Sequence, residues 1–370
     1  MKLLSFLKKE PILAISALAA AVSCFFVPPD AGYLGYIDFR TLALLYSLML
    51  VVAGLRTAGA FEALAHRVCR RAGSARRLGL LLTILSFFSS MLITNDVALL
   101  TFVPFAVVLL GMTGREKDLL GVVVLQTAAA NLGSMLTPVG NPQNLYLYSR
   151  YELGAGEFFR ITGPVWGLSL GLILLLCLGL PGTALRPVPE EATKVDGKKL
   201  LLYLALFALC LSSVFRLLPW PLLLLGMAGA LLVFDRRMLL AADFCLLLTF
   251  AAFFVFAGNL ARLGAVEALL RRLLSGREYL TALLTSQLIS NVPAALLLSG
   301  FTEEARELLL GVDIGGLGTP IASLASLISL KLYSRSPGAR TGRFLGLFLG
   351  VNLLLLVLLS AAHLLLGQVF

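Results

Sequence analysis

Apolar runs long enough to cross a lipid bilayer recur along the whole chain, and short polar stretches separate them. A membrane-spanning helix needs about 20 apolar residues, and continuous rather than alternating runs disfavour a β-barrel. Only 14% of the residues are charged, against about a quarter in a soluble domain. The sequence therefore predicts an all-α integral membrane protein with spans near 11–29, 40–56, 119–148, 158–180, 200–217, 219–235, 242–258, 308–334 and 344–369.

The charged residues lie mainly between these spans and give a net charge of +10. We interpret them as topology signals and lipid-headgroup contacts, which argues against a nucleic-acid partner. Lys2, Lys8 and Lys9 predict a cytoplasmic N-terminus for a multi-pass protein of the cell inner (plasma) membrane. The arginines between 56 and 77 share that side. Those of 262–277 would face outward, which an amphipathic helix in the membrane interface tolerates.

The first 24 residues also have the pattern of a cleavable signal peptide or lipoprotein leader. Their apolar stretch runs on to Phe26 and Val27, so we predict a first helix that is retained. The five cysteines are scattered and show no metal-binding spacing.

The two halves of the chain repeat four features in the same order. A span is followed by an amphipathic segment, GAFEAL (59–64) or GAVEAL (264–269), and then by a polar-centred stretch with TND (94–96) or SNV (290–292). Finally NLGSMLTPVGNPQNL, from residue 131, aligns without gaps on DIGGLGTPIASLASL, from residue 313. Four matches in order indicate a true repeat. We predict an N-terminal repeat at 1–180, a cytoplasmic linker at 181–199 and a C-terminal repeat at 200–370.

An odd number of complete crossings separates the starts of the two repeats, which predicts the inverted repeat of secondary transporters. This count requires that the polar-centred stretches 78–111 and 279–300 are re-entrant hairpins. The stretches 119–148 and 308–334 are predicted to be broken helices. Backbone that is not helical must be buried in protein or line a watery cavity.

Each hairpin tip is the predicted partner of a break, where Pro138 and Pro320 interrupt the helices. Unwound carbonyl groups suit a small cation, and free N–H groups at helix ends suit an anion. The two tips and the two breaks are therefore predicted to form one pseudo-symmetric site near the middle of the membrane.

These motifs resemble the signature segments of the ion transporter superfamily, which includes arsenite permeases, NhaD-type sodium/proton antiporters, and citrate and dicarboxylate carriers. The second-half segment looks most like the arsenite-permease branch, and the tips depart from the Ser-Asn-Thr of the dicarboxylate branch. The resemblance implies transport coupled to Na⁺ or H⁺ by an elevator-like movement, usually in a homodimer. It also implies that six residues surround solute and cation: Asn95, Asn291, Gly140, Asn141, Ala322 and Ser323.

Two carboxylates stand out as candidate coupling groups. Asp96 follows the tip residue Asn95, and a charged carboxylate in a membrane segment costs on the order of 3 kcal/mol unless it faces a partner or cavity. Asp313 occupies the position that matches Asn131, where it could also lie nearer the membrane surface. Our full candidate set for solute is Thr94, Asn95, Asn141, Asn144, Asn291, Thr319, Ser323 and Ser326. The candidates for Na⁺ or H⁺ coupling are Asp96, Asn95, Gly140, Ser290, Asn291, Ala322 and Asp313.

The sequence favours a secondary active transporter of small anions or oxyanion-like solutes, of the citrate/dicarboxylate or arsenite class, with no cofactor beyond the coupling Na⁺ or H⁺. A Na⁺/H⁺ antiporter is the alternative within transport, and a passive channel remains open. An intramembrane hydrolase would use Ser169 or the Asp96 and Asp313 pair. The Gly-x-Ser-x-Gly spelling around Ser169 lies in an apolar run with no strand before it, which argues against an enzyme.

Overall fold

Helices make up most of the chain that the computed structural model describes, which is residues 11–69, 72–185 and 194–366. Within those residues there is no β-strand, only an isolated bridge between Ser74 and Ala184. Seven of the described helices are long and apolar enough to cross a membrane. The predicted all-α membrane fold is confirmed. The topology signals Lys2, Lys8 and Lys9 lie outside the described residues, as does part of the predicted linker.

The first half begins with a helix and a single turn and then runs through one complete set of the predicted features. Its helices are α1 Pro11–Phe26, α2 Tyr33–Tyr36, α3 Phe39–Thr57, α4 Ala60–Cys69, α5 Ala75–Ile93, α6 Asn95–Met112, α7 Leu119–Ser134, α8 Pro142–Arg150 and α9 Ala155–Cys177.

The second half adds two apolar helices before it repeats the set. Its helices are α10 Gly197–Val214, α11 Trp220–Phe234, α12 Phe244–Ala261, α13 Gly264–Leu274, α14 Glu278–Ile289, α15 Asn291–Leu298, α16 Ala305–Gly315, α17 Leu324–Ser334 and α18 Thr341–Leu366.

Three of the apolar helices begin at an aspartate whose carboxylate caps free backbone N–H groups, as short polar side chains do at helix starts. Asp38 accepts from Thr41 N–H at 2.9 Å at the start of α3. Asp196 caps α10 and Asp243 caps α12 in the same way. These caps determine the residue at which each of the three apolar helices begins.

Both predicted broken helices are interrupted near their prolines. A proline ring clashes with the carbonyl group four residues before it and removes one hydrogen bond, which favours a kink or a break in a helix. The helix α7 ends at Ser134, four residues before Pro138, and α8 resumes at Pro142. In the second half α16 ends at Gly315, before Pro320, and α17 resumes at Leu324.

The two hairpins have the same shape but different lengths. In the second hairpin α14 has 12 residues and α15 has 8. At 1.5 Å per residue, neither can cross a hydrocarbon layer of about 30 Å. In the first hairpin α5 has 19 residues and α6 has 18, which is long enough to cross. Re-entrance of the first hairpin therefore stays a prediction.

The first helices of the two repeats, α3 and α12, run in opposite directions. Arg262, which follows the end of α12, pairs with Asp30 at 2.8 Å and donates to the Tyr36 hydroxyl at 3.1 Å, just before α3 begins. Tyr46, further along α3, donates to the carbonyl of Leu239, which precedes α12. The end of one helix therefore lies beside the start of the other, as an inverted repeat requires.

Two arginines that our topology places on the outer side have acidic partners. Arg262 pairs with Asp30, as described above, and Arg271 pairs with Glu267 at 2.9 Å along α13. Partial neutralisation by a neighbouring carboxylate weakens an arginine as a topology signal. The predicted topology, in which the arginines of the two repeats lie on opposite sides, is compatible with this pairing.

Candidate functional site

The tips of both hairpins adopt the same unusual backbone conformation. Thr94 has φ 68° and ψ 150°, and Ser290 has φ 75° and ψ 154°. Residues other than glycine rarely occupy this region, at a cost of about 1–3 kcal/mol each. A β-branched threonine is especially unfavourable there. The surrounding structure must therefore hold each tip in place.

Each tip is anchored to the break of its own repeat by matching hydrogen bonds. The N–H of Asn95 donates to the carbonyl of Gly140 at 3.2 Å, and that of Asn291 donates to the carbonyl of Ala322 at 2.9 Å. Gly140 and Ala322 are equivalent in the repeat alignment. A carbonyl oxygen has two lone pairs. The Ala322 carbonyl also accepts from the Ser290 hydroxyl at 3.4 Å, whereas that of Gly140 keeps one lone pair available to a cation or solute.

A second matching pair of bonds joins each hairpin to the proline segment of its break. The hydroxyl of Thr137 donates to the carbonyl of Met91, and that of Thr319 donates to the carbonyl of Gln287 at 3.3 Å. The backbone N–H of Thr319 also donates to the Gln287 side chain at 3.0 Å. Thr319, a predicted solute ligand, is therefore occupied in holding the second break to its hairpin.

Close contact of hairpin and break requires a glycine at one position in the first half. A Cβ atom on Gly133 would overlap the backbone carbonyl of Phe87 in α5. Gly315, its equivalent, lies against the backbone of Leu283 and the side chain of Ser286 in α14. The shared Gly133 and Gly315 of the repeat alignment thus allow each broken helix to pack on its hairpin without a gap.

Asn131 joins the two repeats at the centre of the molecule. Its Oδ1 atom accepts from Asn95 Nδ2 at 3.0 Å and from Ser323 Oγ at 3.0 Å. Its Nδ2 atom donates to Ser326 Oγ at 3.2 Å. All four side chains are buried. The first tip and the second break therefore meet through one amide.

Asp313, the equivalent of Asn131, makes the reciprocal contact with the first break. Gln143 Nε2 donates to Asp313 Oδ1 at 3.3 Å, and Asn144 lies beside the same carboxylate. The side chain of Asp313 is only 3% exposed. The depth of Asp313 in the membrane stays a prediction, but its side chain is enclosed by protein. Its position in the tightly packed α16, against α8, buries it.

Three buried oxygen atoms around the first break have no hydrogen-bond partner among the described residues: Asn141 Oδ1, Asn144 Oδ1 and Asp313 Oδ2. Their amide nitrogens are engaged, with Asn141 Nδ2 donating to Ser134 Oγ at 2.9 Å and Asn144 Nδ2 to the carbonyl of Met135 at 3.3 Å. Unpaired buried oxygens are costly. Oxygen atoms of this kind are also the ligands that hard cations prefer.

A cavity of about 420 Å³ leads to the first half of this site. Thr94, Asp96 and Asn141 line it, together with apolar residues of α3 and the start of α12. No residue of the second tip, 290–292, lines this cavity. Asp96 therefore faces an open space, whereas Asp313 is enclosed by protein.

Three polar residues at this site were not among the predicted ligands: Asn131, Ser134 and Gln143. The repeat alignment contained the signal for Asn131, because Asp313 is its partner in that alignment. Nothing in the sequence singled out Ser134, whose role depends on how the chain folds back after Pro138. The hydrolase alternative finds no support, since the Ser169 hydroxyl donates to the carbonyl of Val165 in its own helix at 2.7 Å.

Comparison with known proteins places the chain among transporters. YbiR, an inner membrane protein of Escherichia coli (strain K12), is 33% identical over 318 residues, which cover 83% of this chain and 84% of that protein. The silicon efflux transporter LSI3 of Oryza sativa subsp. japonica is 30% identical over 165 residues, 43% of this chain and 33% of that protein. The solved YdaH transporter of Alcanivorax borkumensis has a TM-score of 0.52 at 18% identity, covers 90% of this chain and 87% of its own, and shows the fold alone.

The match to a family profile extends over most of the chain. Residues 3–305 match CitMHS, the citrate transporter family. This span contains both hairpins and the first broken helix. The chain therefore belongs to the CitMHS citrate transporter family and is a membrane transporter rather than an enzyme.

Proposed function

We propose that this protein is a secondary active transporter of small oxyanion-like solutes, coupled to Na⁺ or H⁺. The observation that carries the proposal is the meeting of both tips and both breaks in one buried polar cluster. Asn131 links the first tip to the second break, and Gln143 links the first break to Asp313. A site shared between inverted repeats is what alternating access requires, because each repeat then forms one wall.

The chemistry of the cluster favours a solute that carries hydroxyl groups and little net charge. Its described side chains are amides, hydroxyls and two carboxylates, with no basic group among them. A free dicarboxylate or citrate would meet no guanidinium there and would need a cation to accompany it. The relative LSI3 is named for silicon efflux, which supports a hydroxylated oxyacid as the solute class.

Asp313 is the better placed of the two predicted coupling groups. It is buried, it accepts one hydrogen bond from Gln143, and its Oδ2 atom has no partner among the described residues. A buried carboxylate without a basic neighbour requires either a proton or a metal cation. Gln143 and Asn144, which contact Asp313, belong to α8. Proton uptake or Na⁺ binding at Asp313 would change these contacts and would therefore link cation occupancy to the position of α8.

We further propose the membrane arrangement that the repeats imply. The two repeats, 1–180 and 200–370, lie in opposite senses on either side of the linker 181–199, with the N-terminus in the cytoplasm of a cell whose inner membrane holds the protein. The name of the relative YbiR supports that membrane. Movement of the hairpins past α3 and α12 would be elevator-like, in a homodimer.

The test uses purified protein in liposomes with imposed Na⁺ or pH gradients. The solutes tested are arsenite, silicic acid, and citrate supplied together with Mg²⁺. We expect the liposomes to accumulate at least one of them to an internal concentration above the external one. Flux that never exceeds the external concentration would indicate a channel and would refute the proposal. If Asp96 rather than Asp313 carries the coupling, Asp96→Asn should keep solute binding and lose accumulation driven by a pH gradient.

A Na⁺/H⁺ antiporter is the second candidate, and the buried Asp313 favours it because one carboxylate can bind Na⁺ and H⁺ in turn. It is distinguished by proton efflux on Na⁺ addition in liposomes that contain no organic or oxyacid solute. Na⁺-driven proton movement without solute supports the antiporter. Its absence, together with solute accumulation, supports the transporter proposed above.

A further inference from the structure

The cavity that reaches Asp96 has a wall unlike the polar cluster behind it. One side is formed by a stripe of apolar residues on α3, namely Leu45, Leu48, Met49, Val52 and Ala53. Its volume of about 420 Å³ is within the range of cavities that hold small organic ligands. A small hydroxylated oxyacid gains nothing from such a wall, because it has no apolar surface to bury.

Two carboxylates from different elements line this cavity. Asp96 lies on the first turn of α6, and Asp243 lies at the start of α12. Both carboxylates line the same cavity, so their like charges share one space. Like charges across a cavity favour a cation between them.

One basic residue also borders the cavity, but it lies at the mouth. Arg56, near the end of α3, is exposed and directs its guanidinium toward the carbonyl of Leu100 at 3.5 Å. Solvent therefore screens its charge, as it also screens that of Asp243, which is exposed too. The start of α8 at Pro142 also borders the cavity, and a helix start favours anions. The experiment must therefore compare cations with anions directly.

A third polar group points to a ligand independently of the carboxylates. Asn141 lines the cavity, is 3% exposed, and its Oδ1 atom has no hydrogen-bond partner among the described residues. Its Nδ2 atom is already engaged with Ser134. The group that Asn141 offers to a ligand is therefore an acceptor, which suits the N–H donors of an ammonium group.

We propose that this cavity binds small amphipathic organic cations, with the ammonium group between Asp96 and Asp243 and the apolar body against α3. The ammonium donates to Asn141 Oδ1 and to the carboxylates, and the wall around Met49 covers the apolar part. A ligand in this position lies between α3 and the first hairpin. It therefore blocks any movement of the hairpin along α3.

The test compares three probes of one shape that differ in charge: benzylammonium, benzyl alcohol and benzoate. Binding to the purified full-length protein is measured by equilibrium dialysis at low ionic strength. We expect benzylammonium to bind at least tenfold more tightly than either of the other two. Benzoate binding as tightly as benzylammonium would overturn the proposal and would indicate that the start of α8 dominates the cavity.

Matched variants locate the site without relying on transport. Asp243→Asn keeps the helix cap and should weaken benzylammonium binding about fivefold, the effect of one partly exposed ion pair. Asp196→Asn removes the same charge from the equivalent cap of α10, outside the cavity, and should leave binding unchanged. Equal effects of the two variants, or unchanged binding in Ala53→Phe, which fills the cavity, would refute this location.

Discussion

Removing the Asn131 side chain tests whether the two repeats are joined energetically at the centre. Asn131→Ala deletes three buried hydrogen bonds, to Asn95, Ser323 and Ser326. At about 1 kcal/mol each, we expect the free energy of unfolding to fall by roughly 3 kcal/mol. Ser326→Ala deletes one of these bonds and should lower it by about 1 kcal/mol. The double variant should lose about 1 kcal/mol less than the sum, because the shared bond is removed only once.

The measurement is reversible unfolding of the four proteins in the same detergent or bicelle. Ser329→Ala is the matched control, since Ser329 is equally buried one turn along α17 but donates to the carbonyl of Ser326 in its own helix at 3.0 Å. It should show no coupling with Asn131→Ala. If the losses in free energy of unfolding of Asn131→Ala and Ser326→Ala sum to that of the double variant within about 0.3 kcal/mol, the hydrogen bond between the two repeats contributes nothing and the reasoning is refuted.

Three further outcomes follow from the site. Asn95→Ala and Asn291→Ala should each abolish solute uptake in liposomes while folded protein remains in the membrane, and uptake at the wild-type rate in both would show that the tips are only structural. Asp313→Asn should purify as stable protein yet lose accumulation driven by the cation gradient; unchanged coupling would exclude Asp313. Gly133→Ala should lower the melting temperature because its Cβ overlaps the Phe87 carbonyl, at a cost of roughly 1–3 kcal/mol, whereas Gly167→Ala, with open space around it, should not.

The elements that were predictable from sequence are those whose signal is local. The apolar runs and the polar residues between them predicted most helix boundaries to within a few residues. The prolines predicted where the two broken helices are interrupted. The repeat alignment carried more information than any single motif, because it paired Gly140 with Ala322 and Asn131 with Asp313. Those pairs turned out to make equivalent or reciprocal contacts.

The contacts between repeats were beyond the reach of the sequence. Ser326 lies 195 residues from Asn131, and nothing local indicates that their side chains meet. The backbone strain at Thr94 and Ser290 could not be predicted either, because neither threonine nor serine favours a positive φ. Asp243 has the pattern of an ordinary helix cap, and only the packing of the folded chain brings it into the cavity that Asp96 also lines.

The pairing of Asn131 with Asp313 has a consequence for how such a molecule diverges after gene duplication. Two identical halves would carry either two aspartates or two asparagines at these central positions. A second carboxylate would add a buried negative charge, whereas two amides would leave nothing at these two positions to bind a proton. A single exchange between amide and carboxylate, which barely alters shape, gives the two positions one ionisable group. The difference between the two halves at this one position is therefore as important for the site as the symmetry that the halves share.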